Sequence, residues 1–374
     1  MITRTLQQVL EQHMFQGKAI IVTGARQVGK STLLEQIVSG RTEPVLRLNC
    51  DEPEVREALT DANSQDLRLI VGRNRIVIID EAQRVKGIGR SLKLITDGMP
   101  QVQLLVTGSS SLNLLDSLDE PMTGRKFEYE LFPFSTAELI ADRGLIEARQ
   151  MLDSRLIFGS YPDVVNHADN AKELIMNLAD SYLYKDLLTY DGMRKPALLG
   201  KLLTALALQV GSQVSYNEVA QTIGSDSKTV EKYIDLLEKC FIVFRLQAFS
   251  RNLRNELKKS RKVYFWDNGV RNAVIQNFAP LTMRADLGAL WENFFVSERM
   301  KRNRHSQHYA KSYFWRTTTK KEIDYVEEED GKFTAFELKW NPKKATTRIP
   351  AEFTGTYPVE QHEVITPENY WRYL

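Results

Sequence analysis

The run Gly24-Ala25-Arg26-Gln27-Val28-Gly29-Lys30-Ser31-Thr32 places two glycines, a lysine and two hydroxyls at the spacing G-x-x-x-x-G-K-[ST]. Each of those residue types has a task if the ligand is a nucleoside triphosphate. Gly24 and Gly29 let the chain wrap so closely that backbone N–H groups point at phosphate oxygens. Lys30 can reach the β- and γ-phosphates, and the Ser31 hydroxyl can ligate Mg²⁺. Thr32 is placed near the α-phosphate or the base. The continuous apolar run Ala19-Ile-Ile-Val-Thr precedes the loop as a strand, and a helix follows it. The helix N-terminus adds favourable partial charge for an anion. The expectation is a site for ATP and Mg²⁺ built from residues 24–32.

A second segment, Ile76-Val-Ile-Ile-Asp80-Glu81, buries four apolar residues. It delivers Asp80 to the carboxyl end of a strand, where open α/β sheets bind ligands. Asp80 can hold Mg²⁺ through water, and Glu81 is placed to polarise an attacking water. A carboxylate beside the metal-binding one favours hydrolysis over simple nucleotide binding. The next strand ends in Thr107-Gly108-Ser109-Ser110. Either serine can hydrogen-bond the γ-phosphate or the water, although Gly-Ser clusters also form ordinary turns. Thr123-Gly124-Arg125 lies directly before a last strand. From there Arg125 can reach a neighbouring subunit's γ-phosphate, or it can close a surface ion pair.

A third constellation lies near the C-terminus. Lys321-Glu-Ile-Asp324-Tyr-Val leads through the turn signal Asp330-Gly331 into Ala335-Phe-Glu337-Leu-Lys339. Strand alternation puts Glu337 and Lys339 on one face, and Asp324 on the partner strand can lie beside them. This is the D…E-x-K order of the restriction-endonuclease-like fold. There two carboxylates hold Mg²⁺ and a lysine assists the attacking water. Glu292, on the preceding helix, matches an extra metal-binding carboxylate. His305 and His308, near Arg302 and Arg304, have no Cys or carboxylate cluster beside them in sequence and read as basic surface.

The elements that must position these groups follow from periodicity. Thr5–His13 has a helical apolar face, and buried strands are expected at Ala19–Thr23, Val45–Leu48, Ile76–Ile79 and Leu104–Val106, with a last strand at Glu128–Leu131. Runs apolar on both faces, separated by helices, predict a parallel sheet covered on both sides. From Ser135 to about Val210 the period is helical. Two short helices joined at Gly224, then the apolar run Ile242–Leu246, have the form of a winged helix-turn-helix. Its second helix is expected over Ser227–Leu237 with Ser227 as N-cap. Lys228, Thr229, Lys232 and Tyr233 would then face phosphates or base edges, with Glu231, Asp235 and Glu238 diluting the charge. Such helices also grip protein partners. The reading is an α/β chain in four parts: a P-loop core at 1–135, a helical lid at 136–210, a winged helix-turn-helix at 211–282 and an α/β domain at 283–374.

Composition narrows the classes. No apolar run approaches the roughly 20 residues of a membrane span, so no membrane role is expected. Cys50 and Cys240 are the only cysteines, too few for a disulfide framework. The first residues lack the basic and apolar regions of a secretion signal, and a cytoplasmic protein is expected. The net charge of +2 hides an asymmetry: residues 251–321 carry 16 Lys and Arg against 5 Asp and Glu. That excess points to DNA as a partner, or to a surface balanced by acidic neighbours.

Taken in order, these segments resemble an AAA-family ATPase, with the loop and the Asp80-Glu81 strand in the places of Walker A and Walker B motifs. More narrowly, Gly24–Ser31, Asp80-Glu-Ala-Gln, Gly108-Ser-Ser-Ser, Gly124-Arg125 and Gly159-Ser-Tyr-Pro resemble one archaeal and bacterial group. In that group the ATPase is joined to a winged helix and a C-terminal domain of unknown function with a nuclease-like fold. The resemblance implies a sensor serine at Ser109, an arginine finger at Arg125 and assembly into a homo-oligomer around shared sites. It leaves cleavage by the C-terminal domain open, with an inactive nuclease fold as the alternative. One departure is plain. Related ATPases often place an arginine after the lid's Gly-x-x-Pro, where this chain has Asp163, so a second sensor arginine is unassigned.

Overall fold

A computed structural model of the chain describes residues 2–108, 122–188, 196–250, 260–344 and 349–374. The chain divides into two compact units, Met1–Phe132 with Lys239–Phe241, and Pro133–Glu238 with Ile242–Leu374.

The first unit is built on a parallel five-stranded sheet. Its strands are β1 (Ala19–Gly24), β2 (Val45–Asn49), β3 (Ile76–Asp80), β4 (Gln103–Gly108) and β5 (Lys126–Leu131), in the order β2-β3-β4-β1-β5. The three central strands are the continuous apolar runs. β1 and β4 are buried throughout, and β3 is buried up to Asp80. Ile21, Val77, Ile79, Leu104 and Val106 share one core with Leu92 and Ile95 of the helix Ile88–Gly98. The expected burial of Val45–Leu48 needs correction. β2 is an edge strand whose residues are half-buried or exposed, because only one neighbour covers it.

The second unit opens with helices, the first being Thr136–Arg143, capped by a reciprocal Ser135–Glu138 box. Further helices run to Pro196–Leu208, and after them come Tyr216–Ile223 and Ser227–Lys239, separated by Gly224 at φ +73. The N-cap of the second is Asp226, whose carboxylate accepts from the Thr229 N–H (2.9 Å) and hydroxyl (2.6 Å). Ser227 is therefore the first helical residue, not the cap.

The strands β6 (Val243–Ala248), β7 (Arg261–Phe265), β8 (Lys311–Arg316), β9 (Glu322–Glu329), β10 (Lys332–Leu338) and β11 (Val359–Ile365) form one mixed sheet, in the order β11-β10-β9-β8-β6-β7. It includes strands from both sides of position 282. The seam is short: β6 runs parallel to β8 with Gln247 beside Tyr313 and Ala248 beside Phe314. Phe249 packs there against Tyr313, Phe333 and Tyr357. The β9–β10 hairpin turns at Asp330 (φ +50) and Gly331 (φ +80), the two positive φ values a tight hairpin needs. The helix Leu287–His305 is buried along most of its length, polar residues included. Among the described residues no helix is long and apolar enough to cross a membrane.

Candidate functional site

The loop after β1 exists because two positions exclude a side chain. A Cβ on Gly24 would stand 2.2 Å from the Leu131 carbonyl oxygen of β5, and Gly29 has φ +92. Behind the loop, buried Arg4 donates to Val28 O (2.7 Å) and Phe132 O (2.6 Å), tying the turn to the end of the sheet. Ala25 and Val28 point inward, whereas Gln27, Ser31 and Thr32 are exposed. The Lys30 side chain is buried and donates to Gly24 O (3.1 Å) and Ala25 O (2.8 Å), so its ammonium lies inside the loop's curve.

The second segment meets the first. Ser31 Oγ donates to Asp80 at 2.9 and 2.8 Å from the two carboxylate oxygens, bringing together residues 49 positions apart. Asp80 also accepts from the Thr107 hydroxyl, and Thr107 Oγ1 in turn accepts the Glu81 N–H at 3.1 Å. Thr107 is fully buried at the end of β4. Glu81 takes φ +54, a conformation side chains other than glycine adopt at a cost, and its carboxylate accepts from Gln83 Nε2. Burial, then the neighbouring Asp80, pushes the Cys50 thiol up to about 12, which disfavours its thiolate. Ser109 and Ser110 lie outside the described residues.

Arg125 stands elsewhere. Its carbonyl accepts from the Ala19 N–H (2.9 Å), at the amino ends of β1 and β5. The loop is at the carboxyl end of β1, roughly 16–20 Å away along a six-residue strand. The side chain pairs with Asp97, Nε to Oδ1 2.6 Å, with Arg125 half-exposed and Asp97 exposed.

In the second unit, β9 and β10 bring Asp324, Glu337 and Lys339 together. Lys339 Nζ is 3.0 Å from Glu337 Oε2 and 3.6 Å from Asp324 Oδ2, and the Leu338 N–H donates to Asp324 Oδ2 (2.8 Å). Burial, and then the Asp324 charge, raises the Glu337 carboxyl to about 7. Burial opposes the Lys339 charge, but Asp324 and Glu337 outweigh it and its pKa rises.

Glu292 on the long helix accepts from Lys262 Nζ (2.8 Å) and the Tyr264 hydroxyl (2.7 Å), both on β7. Its carboxyl is raised to about 6, mainly by burial, with Lys262 opposing and Asp324 adding to the rise. Among the described residues no three His, Cys, Asp or Glu side chains gather as a metal cage. Asp324 and Glu337 are a fit for Mg²⁺ of another kind, since that ion keeps several waters and commonly takes one or two carboxylates.

The basic stretch is not one surface. Lys262, Arg271, Arg284, Arg299 and Lys301 are buried. Each is paired internally: Lys262 with Glu292 and Glu322, Arg271 and Arg284 with Asp286, Arg299 with Glu327, and Lys301 with Glu298. Buried cations need such partners, so they contribute little field outside. Arg251, Arg254, Lys258 and Lys259 lie outside the described residues.

His305 is likewise buried, not surface, and His308 is half-buried 3.4 Å from Glu329. On the second helix of the pair Lys228 and Lys232 are exposed, but Tyr233 faces the core and cannot read a base. Arg261 stacks over Tyr216 (4.2 Å) beside an open pocket of about 530 Å³ that Lys228 also lines. After Pro162, Asp163 is exposed and pairs with His167 (2.8 Å). Nearby Arg155 is buried against Glu298 (3.0 Å), which makes it structural and leaves the second sensor arginine unassigned.

The sequence reading missed Thr107, Gln83, Lys262, Tyr264 and Glu322. A lysine inside the apolar strand Lys262-Val-Tyr-Phe was the one available signal, because such a charge must have a partner.

Residues 16–140 match the family model of an AAA domain. Residues 149–281 and 287–370 match two domains of unknown function, DUF8612 and DUF4143. An uncharacterized protein of Mycobacterium tuberculosis is 26% identical over 337 residues, covering 88% of this chain and 72% of that protein. One from Haemophilus influenzae is 25% identical over 275 residues, 68% of each chain. One from Methanocaldococcus jannaschii is 20% identical over 314 residues, 78% of this chain and 69% of that protein. Among solved structures, a Thermotoga maritima RuvB mutant aligns over 75% of this chain and 95% of its own, with TM-score 0.36 and 16% identity. Drosophila ORC bound to AT-rich DNA and Cdc6 aligns over 72% and 92%, with TM-score 0.26 and 11% identity. Scores this low assign no fold. The matched segment contains the loop, Asp80 and Glu81, and the N-terminal domain is an AAA-type P-loop domain.

Proposed function

We propose that this protein binds ATP with Mg²⁺ at residues 24–32 and Asp80, and hydrolyses it with Glu81. The observation that carries the reading is the meeting of Ser31 and Asp80 beside the loop that holds Lys30. A hydroxyl and a carboxylate at hydrogen-bond distance are the donor set a Mg²⁺ ion takes in P-loop enzymes. The ion would add positive charge at the β- and γ-phosphates.

The chain's own groups do the rest. Lys30 exchanges the Gly24 and Ala25 carbonyls for phosphate oxygens, and the loop N–H groups orient the triphosphate. Thr107 fixes Asp80 and the Glu81 backbone. Glu81 accepts the proton of the attacking water once Gln83 yields its carboxylate. Arg125, far from its own loop, would act on a neighbouring subunit's site in a homo-oligomer, exchanging Asp97 for a phosphate. Lys30→Ala should lose nucleotide affinity by about a hundredfold or more, and Glu81→Gln should bind ATP without turnover. Fluorescent-nucleotide binding and phosphate release measure both, and unchanged affinity in Lys30→Ala would remove the reading.

Nucleotide state is coupled, in this proposal, to DNA held by the helix pair Tyr216–Ile223 and Ser227–Lys239, with Lys228, Lys232 and Arg261 on phosphates. A second reading concerns β9 and β10, because Lys339 lies against both Asp324 and Glu337. These residues would hold Mg²⁺ and an attacking water for phosphodiester cleavage. Asp324→Ala with Glu337→Ala should abolish Mg²⁺- or Mn²⁺-dependent cleavage of DNA or RNA while sparing ATP hydrolysis. Cleavage that persists in that variant would end the reading, and a parent that neither cleaves nor binds metal there is an inactive nuclease fold.

A further inference from the structure

We infer that Lys262 is a positioning residue of the C-terminal carboxylate site: its ammonium holds Glu292 as an outer carboxylate beside the Asp324–Glu337 pair. The inference rests on the second reading above.

Lys262 belongs to β7, sixty-two positions before Asp324, yet its side chain is 2% exposed and bonds Glu292 at 2.8 Å and Glu322 at 2.6 Å. The Tyr264 hydroxyl, on the same face of β7, donates to the same Glu292 oxygen. Gly211, at φ +75, covers the carboxyl from another side; a Cβ there would lie 3.3 Å from Glu292 Cδ. Gln213 bridges to Lys262, fixing this cover to β7. Glu322 is held independently by Arg316 (3.1 Å). The two bonds on Oε1 fix the Glu292 side chain from the β7 side, and Glu322, two residues before Asp324 on β9, ties the same ammonium to the strand that carries Asp324.

Among the described residues no three carboxylates form a direct cage, so Glu292 would act through a metal-bound water, as outer partners commonly do. Without its ammonium, the largely buried Glu292 carboxylate loses the partner that fixes its direction.

The test is Mn²⁺ binding by electron paramagnetic resonance on the full chain without nucleotide. An Asp80→Asn background silences the N-terminal site. Lys262→Met should weaken Mn²⁺ binding about tenfold or more, the usual cost of losing an outer partner, and Lys262→Arg should restore most of it. A lysine that were merely a nearby positive charge would do the opposite, since its removal would tighten Mn²⁺ binding. Equal or tighter binding by folded Lys262→Met overturns the inference. If that variant does not fold, the isosteric Glu292→Gln decides: weaker binding supports the role, and unchanged binding overturns it. An Asp324→Asn, Glu337→Gln control separates the two claims. If the parent binds no Mn²⁺ that this control loses, the metal reading falls and takes the inference with it. If the parent binds and Lys262→Met does too, only the inference falls.

Discussion

Arg125 is held by Asp97, Nε to Oδ1 2.6 Å, at the end of the parallel sheet opposite the phosphate loop. An arginine placed there cannot serve its own site, and an exposed ion pair is weak enough to exchange for a phosphate. Arg125→Ala should therefore lower turnover about a thousandfold while leaving ATP affinity of one subunit unchanged. Mixing Arg125→Ala with Glu81→Gln subunits should restore activity, because some interfaces then pair an intact Glu81 with an intact Arg125. Phosphate release from verified mixed oligomers checks this, and absence of rescue would place Arg125 in a structural role.

Thr107 couples the two acidic residues of the N-terminal site. Its single hydroxyl serves Asp80 and the Glu81 N–H together, and Thr107→Val keeps the shape and loses both bonds. ATP affinity should stay within a few-fold, while turnover falls about ten- to a hundredfold. Turnover equal to the parent would mean that Asp80 and Glu81 are fixed by other groups.

Glu337 gives the second unit a pH dependence of definite sign. Its carboxyl is raised to about 7 from 4.5, so the native state binds that proton more tightly than the unfolded chain does. The stabilisation is complete below 4.5 and lost as pH rises through about 7, on the order of 3 kcal/mol for this group. Glu292, raised to about 6, adds to it in the same direction. All five tryptophans lie at or beyond Trp266, so their fluorescence reports this unit. Without divalent ions, its denaturant midpoint should fall from pH 5.5 to 7.5, and Glu337→Gln should flatten the fall. A flat parent profile would contradict the raised carboxyl.

DNA binding, if it runs through the helix pair, is electrostatic at Lys228 and Lys232, which are exposed. Lys228→Ala with Lys232→Ala should weaken binding and reduce the slope of log K against log salt by about 1–2. Fluorescence anisotropy at several salt concentrations measures it. An unchanged slope would move the contact elsewhere, or make the helix a protein-binding surface.

The first unit was legible in the sequence because its signals are local. The loop, the apolar strand and the terminal Asp80 each lie within a few residues, and a parallel sheet needs only that strands be buried on both faces. Val45–Leu48 misled because its composition matches a central strand, whereas an edge position depends on which strands are its neighbours. The charge excess of residues 251–321 misled for a related reason: counting treats Arg271 or Lys301 as surface, while their partners Asp286 and Glu298 lie within the same fold. Lys262 and Glu292 meet only through the packing of β7 against a helix thirty positions away, and no local pattern announces that.

The narrow seam between β6 and β8 bears on how the chain can be dissected. A fragment started at position 283, where the sequence suggests a clean cut, would lack β6 and expose the backbone edge of β8. It would also lose Phe249 from among Tyr313, Phe333 and Tyr357, opening an apolar cleft beside that edge. A bare edge flanked by aromatic surface invites strand pairing between copies. Such a fragment would aggregate before any activity could be assayed, and a soluble one should begin upstream of β6 and carry the hairpin with it.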